Sequence, residues 1–191
     1  TDNPSAQSFV QQPLAQIGLF NQLNACAALL AAQHAGVPIA TGLEALTQFK
    51  GVKRRQEVIA EIDGITIIDD FAHHPTAIEA TLQALKQQCK GQLIAVFEPR
   101  SNTMKMGVHE QTLGQSFEQA DLVLVYDNAQ LKWDVDILKQ AAPERIQIMP
   151  EIEHIIQQLT KISAEGDQIV IMSNGGFEGL HQKLIQAFKN R

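Results

Sequence analysis

Residues 92–99, QLIAVFEP, carry five consecutive apolar side chains, Leu93 to Phe97, and then turn abruptly polar. A strand with one wet face alternates apolar and polar residues. An unbroken apolar run belongs to a strand buried on both faces, as in a parallel sheet covered by helices. LVLVYD at 122–127 and QIVIMS at 168–173 repeat the pattern, and IQIMP at 146–150 is a shorter version. Helical spacing separates these runs. PTAIEATLQALKQQC has proline in its first turn and Ile78, Leu82 and Leu85 on one face. Further helices are expected over Val108 to Gln119, near Trp133 to Ala141, and in EIEHIIQQLTKIS and GLHQKLIQAFKN. QEVIAEIDGITIIDD predicts two strands joined at an AspGly turn. Strands alternating with helices predict an α/β fold with a mostly parallel, doubly wound sheet.

The start of the chain has a different character. TDNPSAQSFVQQP is rich in Gln, Ser and Pro and reads as a loop or a stray edge strand. GLFNQLNACAALLAAQHAG reads as a helix with Leu23, Ala27, Leu30, Ala31 and His34 on one face and Gly36 as its stop. Thr41 is the expected cap of a second short helix ending near Phe49, with a break at Gly51. No strand of comparable quality precedes these helices, so they read as the tail of something larger.

Composition narrows the function classes. A chain of 191 residues can bury one good core, or one domain plus part of another. The net charge of −6 argues against a general nucleic-acid binder. Local basic spots remain possible, and Lys53-Arg54-Arg55 is one; it suits either a phosphate or plain solvation. The opening residues lack a basic n-region and an apolar core, and no apolar run reaches the ~20 residues of a membrane span, so a cytoplasmic protein without membrane partners is expected. Cys26 and Cys89 show no metal-ligand spacing and are expected to be buried free thiols.

In an open parallel sheet, ligands bind beyond the carboxyl ends of the strands. Here those ends are Asp69-Asp70-Phe71-Ala72-His73-His74, Glu98-Pro99-Arg100-Ser101-Asn102-Thr103, Tyr126-Asp127-Asn128 and Ser173-Asn174-Gly175-Gly176. Asp70 suits ribose hydroxyls or a metal, and equally an Asx-turn or cap before the Pro75 helix. His73 and His74, being adjacent on an extended segment, point apart and do not share one ion. Arg100 with Ser101, Asn102 and Thr103 suits a carboxylate clamp or a plain surface loop. Backbone N–H groups of Ser173 to Gly176 suit an anion, or merely a tight turn. Met104 and Met106 are expected to pack. His34, His109, His154 and His181 show no partner at ligand spacing.

The series GLFNQLNACAAL, FKGVKRRQEV, IDDFAHHPTAI, FEPRSNTMKMG and SNGGF resembles, in order and spacing, the C-terminal portion of the Mur ligases, from about Gly18 to the C-terminus. These are ATP-dependent amide ligases of peptidoglycan synthesis. The pair DDFAHHPTAI and EPRSNTMKMG is most similar to the members that join murein tripeptide (L-Ala-γ-D-Glu-meso-DAP) to UDP-N-acetylmuramate in peptidoglycan recycling. The resemblance implies that residues 1–50 are the mainly helical tail of a central ATP-binding domain and 51–191 a Rossmann-like C-terminal ligase domain. It also implies a chemistry: ATP phosphorylates the muramyl carboxylate, and the incoming amine attacks the acyl phosphate to give an amide, ADP and phosphate. ATP and Mg²⁺ would be bound mainly by the absent central domain.

Carried over by motif, Asn21 and Asn24 fall on the adenine side, although Phe20 stands where the family usually has histidine. Arg55 matches the arginine that reaches ribose and phosphates, and Asp70 the hinge aspartate on the ribose. His74 falls near the incoming amino substrate. Arg100, Ser101 and Asn102, with Ser173, Asn174, Gly175 and Gly176, match loops that hold that substrate's carboxylate and backbone. ArgSerAsn favours the tripeptide, because the L-alanine-adding relatives carry His-Arg-aromatic after the proline. The resemblance assigns no catalytic residue and no metal ligand here.

The sequence contains no GxxGK[ST], hence no loop to cradle β- and γ-phosphates. The chain alone is therefore expected to be inactive, with the N-terminal and central domains of the same polypeptide as its missing partners. Two other readings of the sequence remain open. One is a metal-dependent phosphoesterase using Asp69, Asp70, His73 and His74, against which stands the lack of a second carboxylate–histidine cluster. The other is a module that binds nucleotide or peptide without chemistry.

Overall fold

The computed structural model describes residues 17–127 and 129–191, so the opening segment TDNPSAQSFVQQP and Asn128 lie outside the described residues. The chain divides between Gly51 and Val52 into two compact units.

The first unit holds helices α1 (Leu19–His34) and α2 (Ile39–Gln48). At the end of α1 the amides of Gly36 and Val37 turn back onto the carbonyls of Gln33 and Ala32. α2 begins directly after Pro38, whose carbonyl already accepts from Gly42, so Thr41 lies inside the helix and does not cap it. Neither helix buries a single residue, and Leu23 and Leu30 are 61% and 65% exposed. Cys26 is consequently exposed, contrary to expectation, and Cys89 is half-buried; both are free thiols.

The second unit begins with a hairpin of β1 (Glu57–Ile62) and β2 (Ile65–Asp70). Asp63 and Gly64 between them stand at φ 51° and 74°, the left-handed pair that a tight hairpin turn requires. Then come α3 (Pro75–Lys86), β3 (Leu93–Phe97), α4 (Asn102–Lys105), α5 (Glu110–Leu113), β4 (Leu122–Tyr126), β5 (Ile146–Met149), α6 (Ile152–Ile162), β6 (Gln168–Met172) and α7 (Leu180–Lys189). The sheet order is β1-β2-β6-β3-β4-β5; only β1 runs antiparallel. This is the Rossmann-like, mostly parallel α/β sheet that the apolar runs predict.

Packing follows the pattern of both-face burial. Ile67, Val96, Leu124 and Ile171 pack with Ile155 and Leu159 of α6 and with Leu184 and Phe188 of α7. The alternate residue Phe97 meets Phe117 edge-on at 5.4 Å, while Ile78 and Leu82 of α3 are fully buried. Burying such a side chain is worth about 1.5–3 kcal/mol, and dozens of them define this core.

The long helix expected over 108–119 is instead the short α5 and a 3₁₀ turn, preceded by the separate α4. Ser101 caps α4 by accepting from the Met104 amide, which starts helix six residues early. The chain then turns at Gly107, and after α5 the Ser116 hydroxyl bonds back to the Leu113 carbonyl, drawing 115–117 into a 3₁₀ turn. The segment near Trp133 to Ala141 is likewise a 3₁₀ helix, Val135–Gln140, capped by Asp134. What these breaks preserve is the level of the sheet's rim. Asp70 lies opposite Met172, Met172 opposite Phe97, Phe97 opposite Val125, and Tyr126 opposite Met149. The polar residues that follow each strand therefore come out at one edge.

Candidate functional site

β2 ends in two carboxylates that point to opposite faces, as the strand period demands. Asp70 is 3% exposed. Its Oδ2 accepts from the Gln56 amide at 2.8 Å and its Oδ1 from the Ala72 amide at 2.7 Å, the second bond being an Asx-turn. Burial pushes the Asp70 carboxyl above its ordinary value, against the pull of these two amides and of the Arg55 charge. The aspartate thus ties the segment before β1 to the end of β2.

That segment, residues 52–56, is unusually bent. Arg54 and Gln56 stand at φ 58° and 51°, a left-handed conformation that costs a non-glycine residue roughly 1–2 kcal/mol. Arg55 sits exposed between them, its guanidinium 5.3 Å above the Phe71 ring. Arg54 turns inward. Its amide donates to Glu57 Oε2, its carbonyl accepts from the Phe71 amide, and its guanidinium lies 5.4 Å from the same ring. Nη2 donates to the carbonyls of Ser173 at 2.6 Å and Gly175 at 2.9 Å, while Nε stands 3.3 Å from Asp69 Oδ2. Asp69 Oδ1 is in turn 3.1 Å from Nε2 of His181, in the first turn of α7. The two atoms face each other without a well-aligned hydrogen bond, so His181 has a carboxylate neighbour that its sequence surroundings do not reveal.

The loop after β6 carries the rest. Ser173 is fully buried; its hydroxyl donates to Glu98 Oε2, and Ser173 Oγ itself accepts from the Gly175 amide at 2.9 Å. The Gly175 N–H expected to face an anion is thus already engaged, and a 3₁₀ turn at Phe177–Gly179 separates the loop from α7. Asn174 Oδ1 is buried with no hydrogen-bond partner. Arg100 lies flat over Gly175, where any Cβ would collide with its Cδ, Nε and Cζ, and Nη1 is 3.8 Å from Glu98 Oε1. Beside it opens a cavity of about 180 Å³ lined by Glu98, Arg100, Lys105, Tyr126, Gln130 and Glu178 among others. Tyr126 donates its hydroxyl proton to Glu178 at 2.6 Å, and Lys105 donates to Gln130 at 2.7 Å. The wall therefore carries two carboxylates and two cations. The strand-end rule points at Glu98 and Tyr126 without giving either a role, whereas Lys105 and Glu178 arrive through helix and loop geometry.

The other expected residues are placed as follows. Ser101 caps α4 and contacts Thr103 at 3.0 Å, and Asn102 is exposed at the head of that helix. His74 caps α3, accepting weakly from the Thr76 amide at 3.4 Å, and its ring meets His109 edge-on at 4.5 Å. Asn21 and Asn24 lie one turn apart on α1 in the first unit; Asn21 donates to the Ile17 carbonyl at 2.7 Å and Asn24 is exposed. The DDFAHH group does not converge. Asp70 faces two amides, Asp69 faces Arg54 and His181, His73 Nδ1 contacts the Phe71 carbonyl, and His74 caps a helix. Among the described residues no group of three or more His, Cys, Asp or Glu is arranged to hold a metal ion, and no helix is long and apolar enough to cross a membrane.

Residues 54–175 match the family model "Mur ligase, glutamate ligase domain". The chain is 41% identical over 177 residues to the UDP-N-acetylmuramate–L-alanyl-γ-D-glutamyl-meso-2,6-diaminoheptandioate ligase of Escherichia coli K12, covering 92% of this chain and 39% of that protein. A crystal structure of a murein peptide ligase from Psychrobacter arcticus 273-4 superposes with a TM-score of 0.72 at 43% identity, over 93% of this chain and 38% of that one. A crystallised domain assigned to a corresponding ligase of Haemophilus ducreyi gives a TM-score of 0.59 at 36% identity, over 70% of this chain and 99% of that one. The chain thus spans about two fifths of the length of the curated relatives it matches.

Proposed function

This chain belongs to the Mur ligase family, and from that premise we propose that it is the substrate-closing C-terminal part of an ATP-dependent ligase that joins murein tripeptide to UDP-N-acetylmuramate. The observation that carries the reading is the shared rim: the bend that bears Arg55 is tied to Asp70 and, through Arg54, to the loop of Ser173 and Gly175, over which Arg100 lies beside the charged cavity. In this reading residues 1–50 are the tail of the central ATP-binding domain, with Asn21 and Asn24 on the adenine side, and 51–191 are the ligase domain proper.

Exposed Arg55 suits the nucleotide's ribose and phosphates by charge, and Asp70 keeps acceptor capacity for ribose hydroxyls beyond its two amide bonds. Bound ATP would supply the phosphoryl group that activates the muramyl carboxylate. Mg²⁺ we assign to protein outside this chain, since the described residues offer it no group of ligands. The peptide lies on the other side. Arg100 presents a planar fork to its carboxylate, the unpartnered Asn174 Oδ1 accepts from a peptide N–H, and Ser101, Asn102 and His74 border its path. The relatives named above act on a peptide ending in diaminoheptandioate, which carries an amine and a carboxylate at its distal carbon. A cavity with Glu98 and Glu178 against Arg100 and Lys105 is neutral overall and complementary to such a zwitterion. The reaction belongs where ATP is abundant, in the cytoplasm.

A full-length protein carrying this chain, given Mg²⁺-ATP, UDP-N-acetylmuramate and the tripeptide, is expected to release phosphate only when all three are present. Residues 1–191 alone are expected to release none. Arg100→Ala should raise the KM for the tripeptide about tenfold or more, the worth of a charge-assisted hydrogen bond. Turnover with L-alanine but none with the tripeptide would refute the substrate.

A further inference from the structure

Arg54 is absent from the site as the sequence presents it, yet both its backbone and its guanidinium are held by directed contacts. Its guanidinium spans three anchors: the Ser173 carbonyl, the Gly175 carbonyl and Asp69. Its own backbone holds Glu57 and Phe71, and its left-handed conformation is shared with Gln56 on the far side of Arg55. Backbone held in such a conformation persists only where its surroundings over-determine it, and this segment is held by Asp70, Glu57, Phe71 and the loop after β6 at once.

We propose that Arg54 is a positioning residue that couples the nucleotide side of the site to the peptide side. The step rests on the ligase reading given above. One end of the residue, its backbone, fixes the bend that aims Arg55 outward. The other end, its guanidinium, fixes the carbonyls of the loop over which Arg100 lies and from which Asn174 projects. The two ligand-bearing segments lie more than a hundred residues apart in the sequence, and the Arg54 side chain links them directly in space. An adjustment of the bend when nucleotide engages Arg55 is therefore felt by Ser173 and Gly175 directly, without passing through the sheet. A lysine cannot reproduce this, since a single ammonium lacks the fork that reaches two carbonyls and a carboxylate together.

The test compares R54A and R54K with the wild type in a full-length protein carrying this chain, measuring KM for ATP and for tripeptide separately together with kcat. Loss of Arg54 is expected to raise both constants by about tenfold, with R54K recovering a part of each. Amide hydrogen exchange at 174–176 supplies the independent reading: addition of a non-hydrolysable ATP analogue should slow it in the wild type and leave it unchanged in R54A. A rise in one KM alone, or an analogue effect on 174–176 that survives in R54A, overturns the coupling. If R54A does not fold, R54K carries the same comparison, and wild-type values of both constants in R54K overturn the proposal. Wild-type protein that makes no amide at all would instead overturn the ligase reading on which it rests.

Discussion

Arg100 rests on Gly175 because that position has no Cβ; its guanidinium would otherwise have to stand off from the loop. The obstruction created by an added methyl falls on a flexible, half-exposed side chain and not on backbone. Gly175→Ala should therefore shift stability by no more than about 1 kcal/mol while displacing Arg100 from Glu98. The expected signature is a melting midpoint within a few degrees of the wild type with a tripeptide KM raised about 3- to 10-fold by the cost of a misplaced charge-assisted bond. A fall in the melting midpoint of more than a few degrees would show instead that the loop cannot yield. Tyr126 gives a second test at this scale. Burial, the bond to Glu178 and the neighbouring Glu98 charge push its phenol above its ordinary value. The native state then holds the phenolic proton more tightly than the unfolded chain does. That contribution is complete below about pH 10 and is lost as pH climbs through the raised value. The wild type should thus lose stability between about pH 9 and pH 11 more steeply than Tyr126→Phe, as read from denaturant midpoints. Parallel curves would mean that the phenol titrates as if it were exposed.

Elements were legible in the sequence where one physical signal decided them. Both-face burial makes Leu93–Phe97, Leu122–Tyr126 and residues 169–172 of β6 apolar, and each lies in an interior strand. AspGly fixed the hairpin, and the proline before an Ile78–Leu82–Leu85 stripe fixed α3. Where helix periodicity competed with local side-chain bonds, it lost. Ser101, Ser116 and Asp134 each bond to nearby backbone, and they break or tighten segments that periodicity alone would run on as α-helix. The site was legible to the same extent. Strand ends identify Asp70, Glu98 and Ser173 because a parallel sheet brings its carboxyl ends to one rim. No spacing rule identifies Arg54, His181 or Lys105, whose partners lie 119, 112 and 25 residues away in the chain, reached only after the sheet has closed. Lys53-Arg54-Arg55 reads as three like charges, but a left-handed turn sends Arg54 inward and leaves Arg55 exposed.

The two units differ in what holds them. The described core runs from Ile65 to Phe188 and lies wholly in the second. A buried strand such as β3, with every residue inaccessible, opens only when the whole unit unfolds. The helices α1 and α2, of 16 and 10 residues, have no buried side chain between them. Helices of that length are marginal in water unless an apolar face is packed away, and Leu19, Leu23 and Leu30 are all exposed. Native-state hydrogen exchange on residues 1–191 should therefore show two classes of amide. Those of 19–48 are expected to exchange at least about a hundredfold faster than those of β3, β4 and β6. A chain starting at Val52 should keep the slow class intact, because its core is its own. The full-length protein should move 19–48 into the slow class if these helices are the tail of a larger domain that covers their leucines. Uniform protection across residues 1–191 would show that the first unit is stable by itself, and its assignment as a tail would then fall.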